Sequence, residues 1–445
     1  MSNGTKWTSR RSILKTSALG AAALGSGILL KGCKKTRKTL RIVQWNHFVP
    51  AYDKWFNNIY IKEWGEKNDT DVIVDNVGIP ALNPAAAAEV SAQKGHDLFG
   101  FLWPRPVYEE QTIDHAEIYQ ECEKRGYGKP IDLAVKSTYN PKTKKYFGFS
   151  DSFVPDPINW RKDLFDQVGG KPDTWDDIRK YGKLIKDKTG IPVGIGQANE
   201  IDTAMAMRAI LYSFGGGEQD AGGNLVLNSK GTIEAVKFVK ALYEETMTPE
   251  VLSWDPSSNN RAMLAGKSSL VLNAISITRT GENEKMAIHP NIWLAKAAQG
   301  PVRRMGLEHV MSNYCIWKFA ANIEGAKKFL ADYIGAFRQA FINSEFYNFP
   351  CFTKQVPDLH ELLKKDSKAQ PADKYAVLGD ALDWATNVGY PGYTNAAIDD
   401  GYSTWVLNTM FAQASTGKMS PEDAVKEAEN KYKAIWAKWK EKGLL

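Results

Sequence analysis

The segment Leu40-Arg41-Ile42-Val43-Gln44-Trp45 has the apolar, β-branched character of a strand and runs into a loop from Asn46 to Pro50. From Ala51 to Lys67, Tyr52, Trp55, Phe56, Ile59, Tyr60 and Trp64 recur at three- and four-residue spacing, which predicts an amphipathic helix. Val72-Ile73-Val74 predicts a second strand, Ala85 to Lys94 a second helix, and Asp97-Leu98-Phe99-Gly100-Phe101-Leu102-Trp103 a buried third strand. Strand, helix, strand, helix, strand in about 65 residues means an α/β chain with a largely parallel sheet.

The pattern breaks between Tyr146 and Pro157, where Phe-Gly-Phe-Ser-Asp-Ser-Phe-Val-Pro-Asp-Pro mixes extended residues with turn formers. A second α/β region follows. A helix is expected over Trp175 to Thr189, with Asp173 or Thr174 as N-cap and Gly190-Ile191-Pro192 as the stop, then a strand at Val193-Gly194-Ile195. A glycine-rich loop spans Gly215 to Gly223, and a helix is predicted over Ser229 to Thr246. Ser268 to Asn273 predicts a strand returning to the first region, Val310 to Phe319 another strand, and Ile323 to Phe341 and Pro421 to Lys442 further helices. A chain that crosses more than once between two lobes builds a hinge of several strands.

Composition agrees with a folded chain of this complexity. At 445 residues, 43% hydrophobic and 24% charged, the sequence has material for two sizeable cores and is not predominantly disordered. The formal charge of +6 is misleading, because residues 1 to 38 carry nine Lys and Arg and no Asp or Glu. Subtracting those nine leaves a body of −3, which has no global field drawing it onto nucleic acid.

That basic start contains Ser9-Arg10-Arg11-Ser12-Ile13-Leu14-Lys15 ahead of a mildly apolar run from Thr16 to Leu30, a pattern similar to a twin-arginine export signal. Fifteen apolar residues fall short of the roughly 20 that span a bilayer, which argues against a membrane anchor. Leu30-Lys31-Gly32-Cys33 resembles a lipoprotein cleavage box, so lipidation at Cys33 and ordinary cleavage near Ala21 to Ser26 stand as alternatives. The other cysteines, Cys122, Cys315 and Cys351, allow at most one intramolecular disulfide.

Four segments carry a family likeness: Trp160-Arg161-Lys162-Asp163-Leu164-Phe165 with Lys171 to Ile178; Phe214-Gly215-Gly216; Met263-Leu264-Ala265-Gly266-Lys267-Ser268-Ser269-Leu270; and Ser415 to Ala424. In this order they resemble the family 1 extracellular solute-binding proteins of bacterial ABC importers, the group that includes maltose-binding protein. The resemblance implies a two-lobe, periplasmic-binding-protein-like (type II) α/β fold with an interlobe ligand cleft and a multi-strand hinge. Its expected boundaries are an export signal and basic linker over 1–38, an N-terminal lobe from 39–152 plus 274–334, and a C-terminal lobe from 153–273 plus 335–445. It further implies a carbohydrate ligand, a membrane permease as partner, a periplasmic or membrane-anchored location, and no enzyme activity or cofactor; a monomer is expected.

On that fold, ligands sit in loops beyond strand C-termini. The candidates are Trp45, Asn46 and His47 after the first strand, Trp103 and Arg105 after the third, Asp151 and Phe153 at the crossing, and Trp254 with Asp255 in a Trp-Asp-Pro turn. Asn273 opens Asn273-Ala274-Ile275-Ser276, where the family has an aromatic platform that Ser276 cannot supply. Tyr393, Tyr402 and Trp405 fall in a segment that aligns with a cleft-lining part of the family. A pyranose has an apolar face and a rim of hydroxyls, so flat aromatics with Asp, Asn and Arg match both. Trp55, Trp64, Trp436 and Trp439 lie at helical spacing and are expected to pack instead.

The remaining chemistry is sparse. His47 could act as a base or ligand, but a hydrogen-bonding loop histidine is the ordinary outcome. The six histidines (47, 96, 115, 289, 309 and 360) show no two-His metal spacing, and no metal site is expected. Gly194 to Asn199 lacks the third glycine of a dinucleotide fingerprint, and no phosphate-binding loop or nucleophile elbow is present. An exported glycan lyase or glycosidase is the alternative reading; it needs a carboxylate pair across the cleft, for which only Asp151 and Asp255 stand as candidates. A receptor for a polyol, a glycerol phosphate or another polar solute is the third.

Overall fold

The computed structural model describes residues 37–445; the segment expected to be an export signal and the expected lipidation site Cys33 lie outside the described residues. The strands, in chain order, are β1 (Lys38–Trp45), β2 (Thr70–Val77), β3 (Leu98–Phe101), the hairpin β4 (Tyr139–Asn140) and β5 (Lys145–Tyr146), β6 (Ser152–Pro155) and β7 (Ile158–Arg161). There follow β8 (Val193–Gly194), β9 (Leu270–Leu272), β10 (Ile292–Ala295), β11 (Gly306–Met311), β12 (Asn313–Ile316), β13 (Phe349–Pro350) and β14 (Ala385–Thr386).

They build three four-stranded sheets and one hairpin. The first sheet, ordered β12-β3-β1-β2, is parallel in its β3-β1-β2 part and closed by antiparallel β12. The second, β10-β7-β9-β8, is mixed. The third, β13-β6-β11-β14, lies where the chain passes between two large hydrophobic cores. Phe153 and Val154 of β6 belong to the first core and Ile158 of β7 to the second; Leu307 of β11 belongs to the second and Val310 to the first. The chain therefore passes between the two lobes twice here, from β6 into β7 and along β11.

Local chemistry explains where the elements begin and end. The helix Trp175–Thr189 starts on a capping box, with Thr174 Oγ1 accepting from Asp177 N (3.0 Å) and Asp177 Oδ2 accepting from Thr174 N (3.1 Å). It stops at Gly190, whose φ of +76° is a left-handed conformation open to glycine. The expected helix over 51–67 is interrupted by a π turn at Phe56–Tyr60, which shifts the apolar face. Tyr52, Trp55, Phe56, Tyr60 and Trp64 are buried, whereas Ile59 is left 48% exposed.

Several expectations need correction. The strand at Leu270–Leu272 pairs with β7 and β8 in the second sheet; the return to the first core comes immediately after it, at Ala274 and Ile275. The single strand expected over 310–319 is two strands separated at Ser312, because β11 pairs with β6 while β12 moves to the first sheet and pairs with β3. The expected helix over 323–341 is divided at Ala336 into Ile323–Gly335 and Phe337–Asn343. The cores do not divide at residue 335. Phe337, Phe341, Tyr347, Phe352, Tyr375 and Trp384 all pack into the first core, and the second resumes at Val388. This stretch consists of short helices and turns without sustained periodicity, so its side chains follow the nearest apolar surface.

Candidate functional site

The hinge sheet supplies the site. β6 and β11 pair antiparallel with Glu308 opposite Pro155 and Val310 opposite Val154, so His309 is an extra, bulged residue. A bulge breaks the alternation of faces and re-aims side chains. Here it occurs at two consecutive polar residues held in the interior, Glu308 (2% exposed) and His309 (5%).

Both line a pocket whose walls come from the two lobes. Leu102, Trp103 and Met311 form one side, Ile201, Met205, Val388 and Tyr402 the other. The free space is about 10 Å³, the scale of one water molecule, so the lobes are closed upon each other. A neighbouring pocket of the same size is lined by Glu200, Asp202, Trp254, Asp255 and Asn259. The two pockets flank the start of the helix Ile201–Ser213. Trp254 comes so close to Gly194 that an added Cβ there would lie 2.8 Å from its ring.

The polar groups of this region are unequally satisfied. Glu200 caps the helix Ile201–Ser213, accepting from Asp202 N (2.7 Å) and Thr203 N (2.5 Å). Asp202 accepts from Asn259 Nδ2 (2.7 Å), and His309 Nδ1 meets Asp156 Oδ1 at 3.2 Å. Glu308 Oε1 accepts from Val388 N (3.0 Å), but its Oε2 has no partner among the described residues, and neither has the indole N–H of Trp103. Burial raises the Glu308 carboxyl to about 8 against weaker pulls from its own backbone N–H, from that of Val388 and, least, from Arg208. Burial also raises Asp202 and Glu200, His309 acting in the opposite direction. For His309 burial favours the neutral ring, yet the bond and charge of Asp156, with Asp202 and Glu200, raise it overall.

Contacts across the cleft hold it shut. Arg105 Nε donates to Asp399 Oδ2 at 3.1 Å, and its guanidinium lies 5.5 Å from the Trp103 ring centre. Trp103 meets Tyr402 at 5.5 Å between ring centroids. On its other side Tyr402 carries the guanidinium of Arg208 at 4.7 Å, and Arg208 Nε is bonded to Glu218 Oε1 at 2.8 Å.

The sequence-nominated residues are thus distributed unevenly. Trp103, Arg105 and Tyr402 meet at the interlobe pocket, and Trp254 and Asp255 line its neighbour. Asp255 is exposed and occupied in its own turn, accepting from Ser257 N (2.9 Å) and Arg261 Nη2 (2.9 Å), and the Arg261 bond lowers its carboxyl. Trp405 is half-buried at φ +58°, with its ring 6.2 Å from Tyr402. Tyr393 is half-buried 6.0 Å from Tyr139. Asn273 is buried and donates to Asn260 Oδ1 (2.7 Å). Phe153 is buried against Phe349.

Asp151 is buried in the first lobe, where burial raises it to about 6 and Ser152 Oγ donates to it at 3.0 Å. It and exposed Asp255 therefore occupy unlike environments, one inside a lobe and one at a surface turn. Asn46 is exposed and Trp45 half-buried, stacked on His47 at 4.9 Å. His47 is a packing group: Nδ1 accepts from Val49 N (2.9 Å), Nε2 donates to Asn348 Oδ1 (3.1 Å), and burial lowers it to about 4.

Sequence reasoning missed Asp156, Glu200, Asp202, Glu308 and His309 as site residues. The available signal was the charged pair Glu308-His309 between Leu307 and Val310, two polar residues in an otherwise apolar strand. Cys122, Cys315 and Cys351 are buried and free. Among the described residues no helix is long and apolar enough to cross a membrane.

Comparison with known proteins agrees with this architecture. A family model described as bacterial extracellular solute-binding protein matches residues 49–336. A binding protein of Brucella abortus (strain 2308) is 25% identical over 302 residues, covering 66% of this chain and 69% of that one. The arabinooligosaccharide-binding protein of Bacillus subtilis (strain 168) is 27% identical over 121 residues, covering 26% of this chain and 27% of that one. Among solved structures, maltose-bound MalE3 of T. maritima superposes with a TM-score of 0.71 at 18% identity, covering 89% of this chain and 99% of that one. A sugar transporter of Arthrobacter chlorophenolicus A6 with bound laminaribiose gives 0.73 at 15% identity, with the same coverage. The fold is that of the type II periplasmic solute-binding proteins.

Proposed function

The chain belongs to the bacterial extracellular solute-binding proteins, and from that premise we propose that it captures a carbohydrate between its lobes by hinge closure and delivers it to the permease of an ABC importer. The observation that carries this reading is the pairing of Trp103 from one lobe with Tyr402 from the other, 5.5 Å apart, beside the unpartnered Trp103 N–H and Glu308 Oε2. Flat rings take the apolar face of a pyranose, and a buried donor and acceptor take hydroxyls. That maltose and laminaribiose occupy structures of the same fold is consistent with it. The closed pocket has no room for a sugar, so binding requires the hinge strands β6 and β11 to flex and the Arg105–Asp399 contact to separate and re-form around the guest.

The test is a panel of mono- and oligosaccharides scored by melting temperature and tryptophan fluorescence. At least one sugar raises the melting temperature and changes the fluorescence, and is recovered chemically unchanged. Hydrolysis or elimination of that sugar would reject the receptor reading in favour of an enzyme.

A further inference from the structure

The cleft holds more buried acid than its own bases balance. Asp156 (4% exposed), Glu200 (6%) and Glu308 (2%) are buried and Asp202 is partly buried; the one imidazole among them is that of His309. The two nearest guanidiniums are committed elsewhere. Arg208 is bound to Glu218 and Arg105 to Asp399, both in buried pairs. Asp156 is answered by His309, Glu200 by a helix N-terminus, and Asp202 by the amide of Asn259. Glu308 has a single backbone N–H on one oxygen and nothing on the other. A buried carboxylate oxygen without a partner is costly, so burial keeps the Glu308 carboxyl protonated in the empty site, and an arriving cation can take the place of that proton, which passes to solvent; three further acids, Asp156, Asp202 and Glu200, act on the His309 imidazole.

We infer that the guest carries a protonated amino group beside its hydroxyls, that the amine seats on Oε2 of Glu308 in place of the carboxyl proton, and that a hydroxyl accepts from the Trp103 indole. This rests on the carbohydrate reading and narrows it to amino sugars. An ammonium is donor-only, so it suits a surplus of acceptors, whereas the lone indole N–H requires an acceptor that the sugar ring supplies. The Tyr402 and Trp103 faces add a cation-friendly wall, as the Arg208 guanidinium over Tyr402 already illustrates.

The experiment is calorimetry at pH 7 with three matched probes: the disaccharide of glucosamine, its N-acetylated form and cellobiose. A charge-assisted bond replacing a neutral one predicts that the free amine binds about tenfold or more tightly than either neutral probe. Glu308→Gln keeps the shape but cannot give up a proton to become the amine's counter-charge, and brings that preference below about threefold. Should that variant fail to fold, calorimetry of the unaltered protein in two buffers of different ionisation enthalpy is expected to show close to one proton released with the free amine and none with cellobiose; equal release with both overturns the seat on Glu308. Equal or tighter binding of the neutral probes overturns the amine and leaves the carbohydrate reading standing. Binding of none of the three overturns the amine, and silence across the broader sugar panel then overturns the carbohydrate reading as well. A preference that survives Glu308→Gln overturns the assignment to this carboxylate.

Discussion

Arg105 of the first lobe and Asp399 of the second meet across the cleft in a buried ion pair, Nε to Oδ2 3.1 Å, with Val107 N (3.4 Å) and Ser403 Oγ (3.1 Å) completing the carboxylate's shell. A pair like this is a latch: it exists only when the lobes are together, and separating it exposes both ions to water, which solvates them well. Its net effect on stability is modest, but loss of one partner in the closed state is not. Asp399→Asn leaves Arg105 buried against a neutral amide, a cost of about 3 kcal/mol to the closed form. Small-angle scattering of the sugar-free variant is expected to show a larger radius of gyration than the wild type. An unchanged scattering curve would mean that the latch does not govern closure.

Trp103 and Tyr402 face each other in the closed pocket. Replacing either by Ala removes a stacking surface and is expected to weaken sugar affinity by about tenfold or more. Trp103 is half-buried, so its loss leaves the first core intact, and the circular dichroism spectrum is expected to match the wild type. Retained affinity in both variants would move the site away from this ring pair.

His47 is held neutral, its folded value lowered by burial from 6.5 to about 4. Above pH 6.5 neither state is protonated; below it the unfolded chain takes up a proton that the folded ring refuses. Stability is therefore lost as pH falls from 6.5 to about 4, by roughly 3 kcal/mol for this residue. His115, buried and lowered to about 4 for the same reason, adds a loss over the same window. In urea unfolding at pH 7 and pH 4, His47→Gln is expected to remove one of these two contributions and leave the other; an unchanged pH dependence would refute the assignment.

Glu308 behaves in the opposite sense. Burial raises it from 4.5 to about 8, so its folded form keeps a proton that the unfolded chain releases. Its contribution is present below pH 4.5 and is lost as pH rises to about 8, on the order of 5 kcal/mol. Glu308→Gln cannot lose a proton, so the variant is expected to gain stability relative to the wild type between pH 5 and pH 8. A constant difference across that range would show that the carboxylate is solvated in the sugar-free protein.

Much of the fold could be read from periodicity because the elements concerned repeat strictly: β1, the helix Trp175–Thr189 with its Thr174 cap, and the helix Pro421–Glu441 have clean patterns and clear punctuation. What escaped depended on departures from period. The π turn at Phe56–Tyr60 inserts a residue that no 3.6-residue template anticipates, and Ile59 turns outward as a result. The passage from β11 to β12 changes sheets at Ser312 with no glycine or proline to mark it. At the site, Trp103 was legible as a candidate because a large aromatic in a loop after a strand stands out, and Tyr402, which lies in the helix Ala396–Ser403, only through the family resemblance of its segment. Glu308 and His309 were not, since a strand's alternation assigns neighbouring residues to opposite faces, and only the bulge opposite Val154 and Pro155 changes that assignment.

That bulge sits on one of the strands that must bend when the lobes part. In the proposed binding mode Glu308 and His309 are at once the floor beneath the guest and links in the pivot. A guest settling there would load the moving part itself, so that recognition would need no relay to reach the motion it triggers, and a change at either residue is expected to alter grip and swing together.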